Sequence, residues 1–240
     1  MQNIYRLSVI IPVYNEQATI EAVLGKVVSV NLPGQIEKQI IVVDDGSTDN
    51  TATLAEQFRS QHAEQNIVLL TNRVNKGKGA AFKMALGAAT GDYVVIQDAD
   101  LEYDPDEYAI LLQPVISHGA DVVYGSRFIT DRPHRVLFFW HYMGNKFITM
   151  LSNMFTNLNL SDIETGFKLM RTAIVKDMDF QEKRFGIEPE ITARISKVRA
   201  IKIYEVGISY YGRTYEEGKK INWVDGVRAL YCIIRYNLFK

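Results

Sequence analysis

Short runs of β-branched residues recur along the first half of the chain, and polar residues directly follow several of them. The stretches between these runs place apolar residues at helical spacing, as at Ile20, Val23 and Val27. Strands that alternate with helices in this way pair in parallel, so the pattern predicts an α/β fold with a mostly parallel sheet flanked by helices. The predicted strands are residues 7–13, 39–43, 67–70, 93–96 and 121–125.

The regular alternation stops after residue 125, and a stretch rich in aromatic residues and methionine follows over 128–155. Beyond it, the residue pattern predicts a helix over 188–198, a strand over 201–211 and a helix over 223–238. Neither an internal repeat nor a flexible linker interrupts the 240 residues. We therefore predict a single domain over residues 1–240.

The overall charge and the cysteine count limit the possible partners and the compartment. The formal net charge is −1, whereas nucleic-acid-binding proteins usually carry a basic face, so we expect no DNA or RNA partner. Cys232 is the only cysteine and cannot form an internal disulfide, which fits the reducing cytoplasm. No segment approaches the ~20 apolar residues of a transmembrane helix. The N-terminal residues have the pattern of a strand rather than that of a signal peptide. We expect a cytoplasmic protein.

Polar and acidic residues follow the first, second and fourth predicted strands, whose carboxyl ends share one edge of a parallel sheet. They are Tyr14 and Glu16, then Asp44 and Asp45, and finally Asp98 and Asp100. Carboxylates as close in sequence as Asp98 and Asp100 raise each other's pKa unless a cation lies between them. Mg²⁺ or Mn²⁺ prefers such oxygen ligands and can stabilise a diphosphate as a leaving group. The pattern predicts a metal-dependent transferase whose leaving group is a diphosphate.

Each motif also has a plainer explanation when it is taken alone. Asp98 and Asp100 could form a solvated turn, and Glu16 suits the first turn of a helix. The glycines within residues 75–79 have neither the spacing of a Walker phosphate loop nor that of a dinucleotide fingerprint, which disfavours a nucleoside triphosphatase. The occurrence of several motifs at successive strand ends favours the functional interpretation.

Five segments, in this order and spacing, resemble those of family 2 glycosyltransferases with the GT-A fold. Among these enzymes the chain is most similar to the polyprenyl-phosphate (dolichyl-phosphate) mannose and glucose synthases. The segments are 11–16 (IPVYNE), 42–49 (VVDDGSTD), 75–80 (NKGKGA), 98–101 (DADL) and 125–127 (GSR). The resemblance covers nearly the whole chain and implies a Rossmann-like sheet. It also implies a nucleotide-sugar-binding half over residues 1–125 and an acceptor-binding half over 126–240.

The same resemblance implies roles for individual residues. The residues expected to bind a UDP- or GDP-hexose are Pro12, Tyr14, Glu16, Asp44, Asp45, Lys78 and Asp98. Asp98 and Asp100 would hold the metal and the diphosphate, which makes Asp100 a catalytic candidate. At Glu102 the synthases often carry glutamine as a further metal ligand. Glu102 could serve as that ligand or could lie beside the site without touching the metal.

The second half of the chain decides between two acceptor chemistries. A phosphate acceptor is already anionic and needs cations but no general base, and Arg127 and Arg213, with Lys219, match cationic positions of the synthases. A sugar hydroxyl needs a carboxylate base, and Asp162 or Glu164 lies where other family members place one. An ion-paired surface loop is the plainer explanation for the arginines, and a structural pair with Lys168 is the plainer explanation for either carboxylate.

An apolar segment over residues 136–143, flanked by Arg132, Arg135 and Lys146, suits a helix that lies on a membrane surface. It could equally pack against the core or against a second copy in a homo-oligomer, and the C-terminal helix over 226–240 has the same two interpretations. Attachment at the inner face of the membrane would then be peripheral or through a membrane-protein partner.

We expect an inverting glycosyltransferase that moves a hexose from a UDP- or GDP-sugar to a polyprenyl phosphate. The first alternative is transfer to a sugar hydroxyl during polysaccharide or lipid-linked oligosaccharide synthesis. The second alternative, from another class, is a noncatalytic protein that binds nucleotide sugars. The presence of both Asp98 and Asp100 disfavours the second alternative.

Overall fold

A computed structural model of the chain describes residues 4–129, 134–136, 138–214, 216–217 and 223–239. Within these residues one seven-stranded sheet has the order β3-β2-β1-β4-β6-β5-β7. The strands are β1 (Arg6–Val13), β2 (Glu37–Asp44), β3 (Ile67–Thr71), β4 (Tyr93–Ile96), β5 (Val122–Ser126), β6 (Lys168–Arg171) and β7 (Ile203–Gly207). The helices are α1 (Ile20–Ser29), α2 (Thr51–Gln61), α3 (Lys78–Ala88), α4 (Tyr108–His118), α5 (Phe139–Thr156), α6 (Thr172–Lys176), α7 (Ile187–Ile195) and α8 (Trp223–Leu238).

The predicted α/β architecture is confirmed, because β1 pairs in parallel with both β2 and β4, β2 with β3, and β5 with β7. One strand was not predicted. The short strand β6 runs antiparallel to β4 and β5 and separates them in the sheet. Its four residues are too few to show a periodicity that the sequence could reveal.

Helices cover both faces of the sheet, and alternate residues of β1 contribute to two separate apolar cores. Val9 and Ile11 pack on one side with α1, whereas Ile10 packs on the other side with α3. Because both faces are buried, the strand reads as a continuous apolar run rather than an alternating one. The predicted strand over 201–211 is shorter in the structure, where only Ile203–Gly207 pairs with β5.

Helices α5 and α8 pack against each other and expose apolar side chains at helical spacing. On α5 the exposed residues are Phe139, Trp140, Tyr142, Met143, Phe147, Met150, Met154 and Phe155, and on α8 they are Val224, Val227, Tyr231, Ile234 and Leu238. We call these residues the α5–α8 apolar surface. Among the helices of the described residues, none has the length and hydropathy needed to cross a bilayer.

The first turn of α3 lies directly against the backbone of residues 182–183, and this contact allows no side chain at Gly79. A Cβ there would be 2.2 Å from the carbonyl oxygen of Glu182. We therefore expect Gly79→Ala to lower the free energy of unfolding by about 1–3 kcal/mol, because the backbone must move to relieve the overlap. Urea denaturation measures this difference.

Gly87 provides the matched control, because it lies in the same helix and no atom comes within 4 Å of a Cβ built there. Gly87→Ala should leave stability unchanged or raise it by about 0.5–1 kcal/mol through reduced backbone entropy. Equal effects of the two substitutions would contradict the close packing of residues 182–183 on α3.

Candidate active site

A cleft of about 1630 Å³ opens where β1, β2 and β4 end. Parallel pairing brings these three strand ends to the same edge, as the sequence predicted. The predicted site residues that line the cleft are Pro12, Tyr14, Glu16, Asp45, Lys78, Asp98, Asp100, Glu102, Arg127, Glu164 and Arg213. Asp44 and Asp162 are predicted site residues that do not line it.

Asp45 fixes the loop before α3. Its carboxylate accepts hydrogen bonds from the backbone N–H groups of Lys76 and Gly77 and from the Asn72 amide at 2.8 Å. Gly77 has φ +96°, a conformation that favours glycine, so the loop can turn tightly over this carboxylate. Asp45 therefore shapes the predicted donor pocket and also lines it.

Asp44 and Asn15 connect the turns that follow β1 and β2. The Asp44 carboxylate accepts a hydrogen bond from the Ser47 backbone N–H at 3.3 Å, which stabilises the turn after β2. Asn15 accepts one from the Thr48 N–H at 2.8 Å, and its own N–H donates to the Ser47 hydroxyl at 2.9 Å. These contacts give Asp44 a structural role in the turn, and its contact with the donor stays a prediction.

Asp98, Asp100 and Glu102 crowd their negative charges together at the end of β4. Burial, together with the charges of Asp98 and Glu102, raises the pKa of Asp100 to about 7. A divalent cation would relieve this repulsion, and carboxylate oxygens are the ligands that Mg²⁺ and Mn²⁺ prefer. The described residues contain no group of three or more acidic, histidine or cysteine side chains placed to hold a metal. Two carboxylates nevertheless fit these ions, because substrate phosphates and water commonly complete their coordination.

Glu102 has partners other than a metal in this structure. One carboxylate oxygen accepts a hydrogen bond from the Tyr210 hydroxyl at 2.9 Å, and the other accepts one from the backbone N–H of Arg213 at 2.6 Å. The side chain thus connects the segment after β4 to residues 210–213. Its role as a metal ligand stays a prediction.

Lys78, the first residue of α3, reaches Asp98 across the cleft. Its Nζ lies 2.7 Å from Asp98 Oδ1 and 3.1 Å from Glu188 Oε1. Burial alone would lower the pKa of Lys78, but the two carboxylates outweigh it and raise the pKa above its ordinary value. The sequence placed Lys78 near the donor, and the structure adds Glu188 as its second partner.

Glu188 is a site residue that the sequence did not reveal. It lines the cleft at the start of α7 and also pairs with the fully buried Lys168. An acidic residue in the first turn of a helix is ordinarily explained by the helix dipole, so no sequence signal distinguished it. The predicted structural role of Lys168 involves Glu188 rather than Asp162 or Glu164.

Arg213 connects the donor-side loops. Its Nε and Nη2 donate to the carbonyl oxygen of Asp100 at 3.0 and 2.6 Å, and its Nη1 lies 3.2 Å from Glu16 Oε2. These bonds hold the β1 loop against the segment after β4. Lys219, the third predicted cation, lies outside the described residues.

Arg127 follows β5 and makes a two-bond ion pair with the buried Asp162. Its Nε lies 2.6 Å from Oδ2 and its Nη2 lies 2.8 Å from Oδ1. Burial would raise the pKa of Asp162, but Arg127 holds it below its usual range. A carboxylate that is stabilised in this way is a weak base, so the geometry disfavours Asp162 as the proton acceptor.

Glu164 differs from Asp162 in both contacts and electrostatics. Burial raises the pKa of Glu164 to about 7, although Lys168 opposes the shift. Its Oε1 is buried and has no hydrogen-bond partner among the described residues. Of the two predicted bases, Glu164 is therefore the one placed to exchange a proton near neutral pH.

The Arg127–Asp162 contact should contribute to stability because Asp162 is completely buried and the Arg127 side chain, which reaches the cleft, is only 14% exposed. We expect Asp162→Asn to lower the free energy of unfolding by about 3–5 kcal/mol, since it leaves the largely buried Arg127 without its counterion. Because the pKa of Asp162 is lowered on folding, this contribution is present at neutral pH and is lost as the pH falls through that pKa. Urea denaturation at neutral and acidic pH measures both effects.

The exposed pair Lys83–Asp179 is the control, because its side chains are 56% and 75% exposed. Asp179→Asn should leave the free energy of unfolding nearly unchanged, because solvent and salt screen an exposed pair. Equal stability of Asp162→Asn and the wild type would contradict the structural role of Asp162.

Comparison with known proteins shows the family and the fold of this chain. Residues 8–179 match the family model described as glycosyl transferase family 2. An uncharacterized protein of Methanocaldococcus jannaschii is 30% identical over 223 residues, which cover 88% of this chain and 93% of that protein. A dolichol-phosphate mannosyltransferase of Pyrococcus furiosus is 26% identical over 234 residues, 96% of this chain and 64% of that enzyme.

An undecaprenyl-phosphate 4-deoxy-4-formamido-L-arabinose transferase of Serratia proteamaculans is 31% identical over 178 residues, 74% of this chain. The chain spans 52% of that enzyme's length, so it matches less than two thirds of either lipid-phosphate transferase. Among solved structures, a glucosyl-3-phosphoglycerate synthase of Mycobacterium tuberculosis, crystallised with Mn²⁺, UDP and phosphoglyceric acid, matches with a TM-score of 0.74 at 20% identity. That match covers 98% of this chain and 80% of the synthase, and it shows the GT-A fold. The chain belongs to glycosyl transferase family 2.

Proposed function

We propose that this chain transfers a hexose from a UDP- or GDP-sugar to a polyprenyl phosphate, with inversion at the anomeric carbon. The observation that carries the proposal is the continuity of the cleft. It extends from Asp98 and Asp100 to the exposed aromatic side chains of Phe139 and Trp140 on α5. The same cavity can therefore offer polar groups to a donor and apolar groups to a lipid chain.

The donor half of the proposal rests on the residues at the strand ends. Pro12 and Tyr14 offer flat surfaces for the base, and Glu16 and Asp45 offer carboxylates to ring N–H groups or ribose hydroxyls. Mg²⁺ or Mn²⁺ held by Asp98 and Asp100 would neutralise the departing diphosphate. The M. tuberculosis synthase structures contain Mn²⁺ or Mg²⁺ with UDP, which supports this class of cofactor and donor.

The acceptor half rests on charge and on the names of relatives. An oxygen of the acceptor phosphate bonds to the anomeric carbon as the bond from that carbon to the diphosphate oxygen breaks. A phosphate is anionic near pH 7, so this step needs positive charge in the cleft, such as Arg127 and Arg213, rather than a base. Two relatives are named as transferases for dolichol phosphate and undecaprenyl phosphate, which supports a lipid phosphate as the acceptor.

A polyprenyl acceptor requires contact with a membrane, and we assign this contact to the α5–α8 apolar surface. Trp140 is 80% exposed and Met154 is 73% exposed, so burial of these side chains among acyl chains would be favourable. Trp140 also lines the cleft, so contact of this surface with a membrane would bring a lipid phosphate close to the site. A second copy of the chain is the competing occupant of this surface.

The measurement is nucleotide release from a panel of UDP- and GDP-sugars. We expect release of one nucleotide, UDP or GDP, and this release should require Mg²⁺ or Mn²⁺. The rate should increase when polyprenyl phosphate is added in vesicles. Asp100→Asn should lower the rate by about 10²-fold or more, because it weakens the hold on the cation that would neutralise the leaving diphosphate. Metal-dependent release without any stimulation by lipid phosphate would contradict the acceptor. Tight donor binding with no release for any acceptor would favour the noncatalytic alternative.

Trp140→Ser separates the lipid contact from the donor site. Since Trp140 lies at the apolar end of the cleft, this variant should bind nucleotide like the wild type but use vesicle-borne acceptor less efficiently. Co-sedimentation with the same vesicles provides the parallel measurement. Dimer dissociation in Trp140→Ser, with unchanged vesicle binding, would assign the surface to a second copy.

A sugar hydroxyl is the second candidate acceptor, and the position and pKa of Glu164 favour it. A base must be deprotonated to accept the hydroxyl proton, and the pKa of Glu164 is raised to about 7. With a hydroxyl acceptor, kcat/KM should therefore increase with pH through about 7, and Glu164→Gln should remove both the activity and this pH dependence. Donor binding should remain intact.

With a phosphate acceptor, Glu164→Gln should retain most of the activity. The pH profiles of the wild type and Glu164→Gln, measured with polyprenyl phosphate and with a sugar panel, distinguish the two acceptors. A profile that is unchanged by the substitution would exclude Glu164 as the base.

A further inference from the structure

The Lys78 ammonium group forms an ion pair with Asp98, the carboxylate that the proposed function assigns to the metal. It contacts both oxygens of Asp98, at 2.7 and 3.1 Å, and its side chain is only 13% exposed. Gly166 leaves the space for this contact, since a Cβ there would lie 2.4 Å from Asp98 Oδ2 and 3.0 Å from Lys78 Nζ. The ion pair is therefore enclosed rather than a mobile contact at the surface.

Glu188 holds the other side of the same ammonium group. Its Oε1 lies 3.1 Å from Lys78 Nζ, and its Oε2 pairs with Lys168. Lys168 is completely buried and also donates to the carbonyl oxygens of Ile163, at 2.9 Å, and Thr165. Glu188 is thus fixed by a partner that cannot move into solvent. The two lysines balance the charges of Asp98 and Glu188.

A divalent cation at Asp98 would upset this balance. The ammonium group and the cation would share one carboxylate at short range, where their repulsion is strong because little water separates them. Contact with the cation therefore requires Lys78 to move away from Asp98. The diphosphate of a donor provides the nearest new anion, while Glu188 can keep its own contact with Lys78.

We propose that Lys78 neutralises Asp98 in the metal-free protein and transfers to the donor diphosphate when metal and donor bind, with Glu188 as the positioning residue that keeps it in the cleft. This inference rests on the proposed function, because it takes Asp98 as a metal ligand and a diphosphate as the donor group. It adds that Lys78 and the metal compete for one carboxylate. Bound nucleotide should consequently raise the affinity for the metal, and bound metal should raise the affinity for the nucleotide by the same factor.

Titration with Mn²⁺ alone, followed by the electron paramagnetic resonance signal of the free ion, tests the competition without any turnover. Lys78→Met removes the competing charge and should tighten Mn²⁺ binding roughly tenfold. With saturating Mn²⁺, the same variant should bind UDP or GDP roughly tenfold more weakly, because the diphosphate loses its cation. The two effects have opposite signs in a single variant.

Lys76→Met is the matched control. Lys76 lies two residues away on the same loop and is exposed, so the variant makes the same change in charge without altering the contact with Asp98. It should leave Mn²⁺ affinity within about twofold of the wild type, because exposed charges are screened by solvent and salt.

Glu188→Gln should act on Mn²⁺ in the opposite direction from Lys78→Met. With its anchor neutralised, Lys78 has Asp98 as its remaining charged partner, and Mn²⁺ alone should bind several-fold more weakly. Because Glu188 also pairs with the buried Lys168, circular dichroism and thermal unfolding should accompany this titration. If Glu188→Gln does not fold, the Mn²⁺ titration of Lys78→Met still tests whether Lys78 and the metal compete for Asp98.

The outcomes separate this inference from the proposed function. If the wild type binds Mn²⁺ with nucleotide but Lys78→Met changes neither affinity, the exchange is overturned and the proposed donor site stands. If Lys76→Met and Lys78→Met have equal effects, the cause is general charge and the exchange is again overturned. If the wild type binds no Mn²⁺ with either nucleotide, the proposed function fails and the inference fails with it.

Discussion

Parallel pairing of β1 with both β2 and β4 is the constraint on which the site depends. It brings three strand ends to one edge, and the residues beyond them carry the carboxylates of Glu16, Asp45 and Asp98. Such a concentration of negative charge is unfavourable without nearby donors and cations. Backbone N–H groups satisfy Asp45, Lys78 pairs with Asp98, and Arg213 contacts Glu16. The loops at this edge of the sheet are therefore arranged around the neutralisation of these acids.

The reversed strand β6 brings the second half of the chain to the same edge. Because β6 runs antiparallel to β4, with Leu169 opposite Val95, the segment before β6 lies beside the residues after β4. Gly166 consequently lies against Asp98, and Glu164 lines the cleft. A parallel strand in this position would place the preceding segment at the opposite edge.

The C-terminal helix α8 is also connected, through residues 182–183, to the first turn of α3. Arg228 and Tyr236 of α8 hold the Glu182 carboxylate at 2.8 and 2.9 Å, and the Lys183 carbonyl accepts a hydrogen bond from Ala80 at 3.1 Å. The outer side of α8 contributes to the α5–α8 apolar surface, whereas its inner side holds the backbone that packs on α3. One helix thus joins the proposed membrane contact to the position of Lys78.

The sequence by itself determined the alternation of strands and helices, the edge of the sheet at which the cleft lies, and eleven of the residues that line the cleft. These features depend on periodicity and on motifs at strand ends, which are local in sequence. The tertiary structure decided what depends on contacts between distant residues. The pairing of Arg127 with Asp162, the engagement of Glu102 with Tyr210 and the contact of Glu188 with Lys78 join groups that no spacing relates. Electrostatic roles follow from such partners and from burial, so the distinction between Glu164 and Asp162 required the folded chain.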